Sequence, residues 1–176
     1  MDKKKYENEI VNAWVEPNEP AEVINKRFSY LNERASIVYD FILSYSAYLY
    51  KKRDYSIGIK LSMMEAHILI DIADNLEVTV TKLAKKWKKT SSAISQIVKR
   101  LIKWGFVYRV NYEGDRKYYH LFPTEKGKEI ALKHKEYDNI DIIKTNKRLL
   151  KKFTVDEMLK FEEILIEYTK LLEVNK

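Results

Sequence analysis

The sequence predicts a mainly α-helical fold carrying one small β-hairpin, and three observations predict it. Glycine and proline are scarce, at four and three in 176 residues, which leaves little material for a turn-rich sheet protein. Apolar residues recur at spacings of three and four over most of the chain, the period of helices with a buried face. That period breaks at two short aromatic and aliphatic runs, 106–110 and 117–122, joined by a polar segment with Gly114 at its tip.

Residues 1–20 read as a polar leader ending at Pro17 and Pro20, with a short helix expected around Ile10 to Val15. From 21 to 55 runs a long helix, ending at about Lys52, and its exit. Val23, Ile24, Phe28, Leu31, Ala35, Val38, Ile42, Tyr45 and Leu49 form one apolar stripe there, and Tyr30, Ile37, Phe41 and Tyr48 a second. A helix with two apolar faces packs on two bodies, here its own core and a partner subunit. Residues 56–123 form the central domain. A loop holding Gly58 precedes Ser62 and Glu65, a capping box that opens a helix through Ile68, Leu69 and Ile72. Thr79 or Thr81 caps a short helix with Leu83, Ala84 and Trp87 inward. Thr90 caps the next, which buries Ile94, Ile97, Val98 and Leu101 and stops at Gly105. The hairpin follows. In 124–176, Thr124 restarts a helix to about Leu150. Thr154 and Glu157 box the start of a last helix, expected to bury Met158, Leu159, Phe161, Leu165, Tyr168 and Leu172. The order is that of a winged helix-turn-helix flanked by long N- and C-terminal dimerisation helices.

Charge is distributed unevenly. The chain has 33 Lys and Arg against 26 Asp and Glu. Eight of the 33 (Lys82, Lys85, Lys86, Lys88, Lys89, Lys99, Arg100, Lys103) lie between Thr81 and Lys103, where there is no acid. Elsewhere 25 basic residues meet 26 acidic ones, so the whole positive excess sits in this stretch. A local cationic surface on two short helices suits double-stranded DNA. No cysteine is present, which removes disulfides, thiolate metal sites and Cys nucleophiles and fits a reducing compartment. No signal segment or membrane-spanning run appears, so a soluble cytoplasmic protein is expected.

Residues 61–130 resemble the MarR family of bacterial transcriptional regulators. The likeness rests on Leu61-Ser62-Met63-Met64-Glu65-Ala66, on Val80-Thr81-Lys82-Leu83-Ala84, and on Thr90-Ser91-Ser92-Ala93-Ile94-Ser95-Gln96-Ile97-Val98. It continues through Leu101-Ile102-Lys103-Trp104-Gly105-Phe106-Val107-Tyr108-Arg109, the wing Asp115-Arg116-Lys117, and Thr124-Glu125-Lys126-Gly127. The resemblance implies a DNA-binding homodimer and an ion pair between Arg109 and Asp115 supporting the wing. The family commonly carries a second wing arginine where this chain has Lys117. Arg116 sits one residue earlier, and neighbours in a strand point to opposite faces, so either Arg116 or Lys117 enters the minor groove.

The expected DNA-binding residues are Lys82, Lys89, Thr90, Ser91, Ser92, Ser95, Gln96, Lys99, Arg100, Arg116 and Lys117. On the recognition helix the small hydroxyls permit close approach to a major groove, and Gln96 and Lys99 reach base edges or phosphate. The lysines before it serve as phosphate contacts and steering charges. His67, His120 and His134 fall in three elements with no histidine partner at helical spacing, so no metal site is expected. Thirteen tyrosines are unusual. They read as core and dimer packing, or, more sharply, as walls for a small aromatic or amphipathic effector. No nucleophile motif, phosphate-cradling loop or cofactor signature argues for an enzyme. The sequence therefore points to a dimeric, sequence-specific regulator, a repressor on a palindromic operator. A non-specific architectural nucleic-acid-binding protein is the alternative.

Overall fold

The structure, a computed structural model, describes residues 3–8, 16, 18–55, 58–112 and 115–174, with side chains for all of these but 112, 115–118 and 174. The chain divides into two compact units. One comprises Met1–Arg53 with Lys60–Met64, the other Asp54–Ile59 with Glu65–Lys176.

The first unit holds a short helix α1 (Lys3–Tyr6) and the long helix α2 (Ala21–Tyr50). Pro20 starts α2 with no side-chain cap. Its carbonyl accepts from the amides of Val23 and Ile24 at 2.9 and 3.1 Å, a tolerated arrangement because proline suits helix starts. α2 ends two residues before the expected Lys52. Two three-residue strands the periodicity did not reveal, β1 (Lys52–Asp54) and β2 (Lys60–Ser62), pair in a small sheet. No residue of α2 is buried within the single chain. The helix expected around Ile10 to Val15 lies outside the described residues.

The second unit carries the rest. After α3 (Met63–Asp74) come α4 (Val80–Lys86) and α5 (Ser91–Lys103), the helix-turn-helix pair. Thr79 caps α4, accepting from Lys82 N at 3.2 Å, and Thr90 caps α5, accepting from Ala93 N at 3.2 Å. Leu83, Ala84, Ile94, Ile97, Val98 and Leu101 are buried as expected, alongside Ile68, Leu69 and Ile72 of α3. Each of these Leu, Ile and Val side chains contributes about 1.5–3 kcal/mol by leaving water, so this core fixes how α5 sits. Both helices end in the same way. Phe106 N reaches Leu101 O at 2.9 Å and Gly105, at φ 73°, closes the bend. Lys89 N reaches Ala84 O at 3.0 Å, with Lys88 at φ 49° in the position glycine usually takes. That left-handed residue is the turn between α4 and α5.

The hairpin is β3 (Val107–Tyr112) and β4 (Asp115–Pro123), antiparallel, with Val107 opposite Pro123 and Asn111 opposite Tyr119. The register shifts after Asn111, so Tyr112 pairs with Asp115. Val78 bridges to Leu121, whose amide donates to Val78 O at 2.8 Å, tying the hairpin to the segment before α4. Thr124 then opens α6 (Glu125–Leu149), accepting from Gly127 N at 3.0 Å while its hydroxyl donates to Gly105 O at 2.7 Å. One threonine thus starts α6 and anchors it to the end of α5. Gly127 is required by the same contact, since a Cβ there would lie 2.0 Å from Phe106 O.

α7 (Val155–Val174) begins with the expected capping box. Glu157 accepts from Thr154 N at 2.8 Å, and Thr154 Oγ1 accepts from Glu157 N at 3.2 Å. Its apolar face corrects the sequence expectation. Leu159, Phe161, Leu165, Tyr168 and Leu172 are between 41% and 58% exposed, and Met158 is only half-buried. Among the described residues, nothing covers that face. Among the described residues, no helix is long and apolar enough to cross a membrane.

Candidate nucleic-acid interface

α5 is divided lengthwise by its packing. Ile94, Ile97, Val98 and Leu101 face the core, which turns Ser91, Ser92, Gln96, Lys99 and Lys103 to solvent and leaves Ser95 half-buried. Thr90 is exposed at its start, as are Lys82, Lys85 and Lys89 just before it. The outward face therefore offers hydroxyl, amide and ammonium groups, with cations along its flank. Such a face can donate to base edges and phosphates while letting the helix backbone come close.

Several cations of the basic stretch are paired with acids. Arg100 Nε donates to Glu65 Oε1 at 2.8 Å, and the Glu65 side chain is only 3% exposed. Arg100 thus compensates a buried carboxylate on α3, a role for Glu65 that the capping-box reading did not include. Lys86 pairs with Asp71, which also accepts from Trp87 Nε1 at 2.8 Å. Lys88 pairs with Glu173. Lys82 Nζ donates to Glu77 O at 3.1 Å and stays exposed.

On the wing, Arg109 lies opposite Leu121 in the register and Asp115 opposite Tyr112, so the register does not set these two directly across from each other. The shift after Asn111 moves the register there. The Arg109 guanidinium lies 5.5 Å from the centre of the Tyr119 ring. The side chains of Asp115, Arg116 and Lys117 lie outside the described residues.

A second constellation escaped sequence reasoning. His67 on α3 and His134 on α6, 67 positions apart in sequence, meet with ring centres 4.8 Å apart, and Asp138 joins them. Asp138 Oδ2 lies 3.2 Å from His67 Nε2 and 3.4 Å from His134 Nε2. The available signal was His134 and Asp138 at i and i+4, a spacing that shares one helix face. A search for His–His pairs passes over it. Tyr55 stacks edge-on against His134 at 4.9 Å and Trp87 lies 5.9 Å from His67.

A helix-turn-helix with a following hairpin and a solvent-facing second helix defines a winged helix-turn-helix protein. Residues 61–119 match the MarR family model, so the chain carries a MarR-family domain. It is 30% identical over 119 residues to an uncharacterised HTH-type transcriptional regulator, YhjH, of Bacillus subtilis (strain 168), a match spanning 65% of this chain and 66% of that protein. The fold is similar to that of Streptococcus pneumoniae FabT solved in complex with DNA, with a TM-score of 0.60 at 21% identity over 85% of this chain and 99% of that one. It is similar also to Lactococcus lactis ZitR, a zinc-responsive member of the family, with a TM-score of 0.61 at 19% identity over 81% of this chain and 99% of that one.

Proposed function

We propose that this protein is a sequence-specific, double-stranded-DNA-binding transcriptional regulator that acts as a homodimer on a palindromic operator, as a repressor. The observation that carries the reading is the exposed face of α5. Ser91, Ser92, Gln96 and Lys99 point outward on a helix whose other side is locked into the core, within a stretch that has eight cations and no acid. Relatives of the same fold are named as HTH-type regulators or were solved on DNA. The uncovered apolar faces of α2 and α7 support dimerisation: Phe28, Ile37, Leu43, Ile164 and Leu171 are all more than half exposed. In such a dimer two recognition helices enter successive major grooves about 34 Å apart. Lys82, Lys89 and Thr90 then contact phosphate beside each α5, and Arg116 or Lys117 reaches the minor groove. A small aromatic or amphipathic effector would find mixed walls in a hollow of about 340 Å³ lined by Asp54, Tyr55, Lys133, Glu136, Tyr137 and Ile140.

The test is selection of bound sequences from a random duplex pool at near-physiological salt. A two-fold symmetric motif is the expected outcome. Binding with no enriched motif would replace this reading with that of a non-specific architectural protein.

A further inference from the structure

We infer that His67, His134 and Asp138 form a site for a divalent first-row transition-metal ion, and that occupancy of the site tunes DNA binding through Trp87. The regulatory half rests on the function proposed above; the metal half stands without it.

The three residues each offer one donor atom, and those atoms lie within 4.8 Å of one another. Two of the three donor separations, those to Asp138, match an ion. In a tetrahedral site with bonds of about 2.0–2.1 Å, neighbouring donors are about 3.3 Å apart. Asp138 Oδ2 stands 3.2 and 3.4 Å from the two imidazole Nε2 atoms. Those separations exceed the roughly 2.7–2.9 Å of a tight charge-assisted hydrogen bond. Two imidazoles with one carboxylate suit ions such as zinc or cobalt, and not magnesium or calcium, which prefer oxygen donors throughout. Burial is graded. The His134 side chain is fully buried, that of Asp138 is 16% exposed and that of His67 33%, which leaves a route for the ion and for a solvent ligand.

The site joins two elements of one compact unit. His67 is on α3, and His134 and Asp138 are one turn apart on α6. An ion would replace a loose polar contact between these helices with three bonds. His67 also packs on Trp87, the residue that caps the end of α4 just before the left-handed Lys88. Trp87 Nε1 holds Asp71 of α3 at 2.8 Å. Fixing the His67 ring therefore fixes the wall against which the turn into α5 rests. A pre-organised turn loses less freedom on binding DNA, so the ion raises affinity.

The experiment is a titration of the metal-free protein with Zn²⁺ by calorimetry and with Co²⁺ by visible absorption. One ion per chain is expected, bound at least about tenfold more weakly by His67→Gln and Asp138→Asn. His67 is partly exposed, so His67→Gln decides the matter should Asp138→Asn melt early. Equal binding by wild type and His67→Gln, or no binding, overturns the site. DNA affinity is then compared in EDTA and in Zn²⁺, on the selected duplex or on mixed-sequence duplex should no motif emerge. Zinc is expected to tighten binding about fivefold or more. Trp87→Phe, which keeps a ring against His67 but removes the Asp71 hydrogen bond, should retain the Co²⁺ spectrum and lose that gain. Metal binding with unchanged DNA affinity overturns the coupling and leaves the site. A protein that takes the ion but binds no DNA in either buffer fails the proposed function and, with it, the regulatory half.

Discussion

Lys99 stands on the exposed face of α5, whereas Lys5 belongs to α1 in the other unit. Lys99→Ala is therefore expected to weaken binding to the selected duplex about fivefold to a hundredfold, equivalent to about 1–3 kcal/mol, and Lys5→Ala to leave it unchanged. Equal losses in a mobility-shift titration would misplace the DNA face. Arg116→Ala and Lys117→Ala are expected to differ in cost, because adjacent strand residues point to opposite sides. The costlier substitution marks the residue in the minor groove, and two neutral results would show that the wing stays off DNA. The basic residues do not share one role. Arg100 is held by a buried glutamate, and Lys86 by Asp71 next to Trp87. Sequence charge counting registers eight equal cations, since partners on other helices are invisible to it.

Among the elements, α6 and α7 show how much a helix start can be required to do. Gly127 admits the Phe106 carbonyl where any Cβ would collide. Gly127→Ala is expected to destabilise the fold by about 1–3 kcal/mol, read as a lower denaturant midpoint. A wild-type midpoint would mean that the start of α6 can move aside. At the start of α7 the backbone amide of Thr154, and then its hydroxyl, hold the Glu157 carboxyl below its ordinary range. A lowered folded-state value adds stability above the ordinary glutamate range, and that stability is lost as pH falls through the lowered value. Glu157→Ala should therefore melt earlier than wild type at neutral pH, with the two curves converging in acid. A gap that persists at low pH would assign the loss to something other than the ionised carboxylate. These caps were legible in sequence because a cap is local: Thr79, Thr90, Thr124 and Thr154 all act within three residues of themselves. The sheet of β1 and β2 was not legible, since a three-residue strand has too few positions to show a period.

Across the whole molecule, two long helices keep apolar faces exposed in the single chain. α2 has no buried residue, and α7 presents Ile164, Leu171 and Leu172 at 56%, 64% and 58% exposure. Burying apolar area on that scale is worth roughly 25 cal/mol per Å², which favours a second copy of the chain. Sedimentation equilibrium is expected to return twice the 21.0 kDa chain mass. The Ile164→Glu, Leu171→Glu double variant should shift the population to monomer and weaken DNA binding together, because one half-site cannot supply the affinity of two. A monomeric wild type would leave these faces to some other partner. The basic stretch should also make binding steeply salt-dependent, as each neutralised phosphate releases counterion.

Periodicity, caps, the glycine at the end of α5 and the concentration of positive charge are set by residues near one another in the chain, so the sequence alone determined the winged helix-turn-helix and the outward face of its recognition helix. Tertiary structure decided whatever depends on distant segments meeting. It placed Glu65 under Arg100, brought His67 of α3 to His134 and Asp138 of α6, set Trp87 beside them, and left the α7 stripe uncovered. Helical spacing tells which residues share a face, but only packing tells what that face meets.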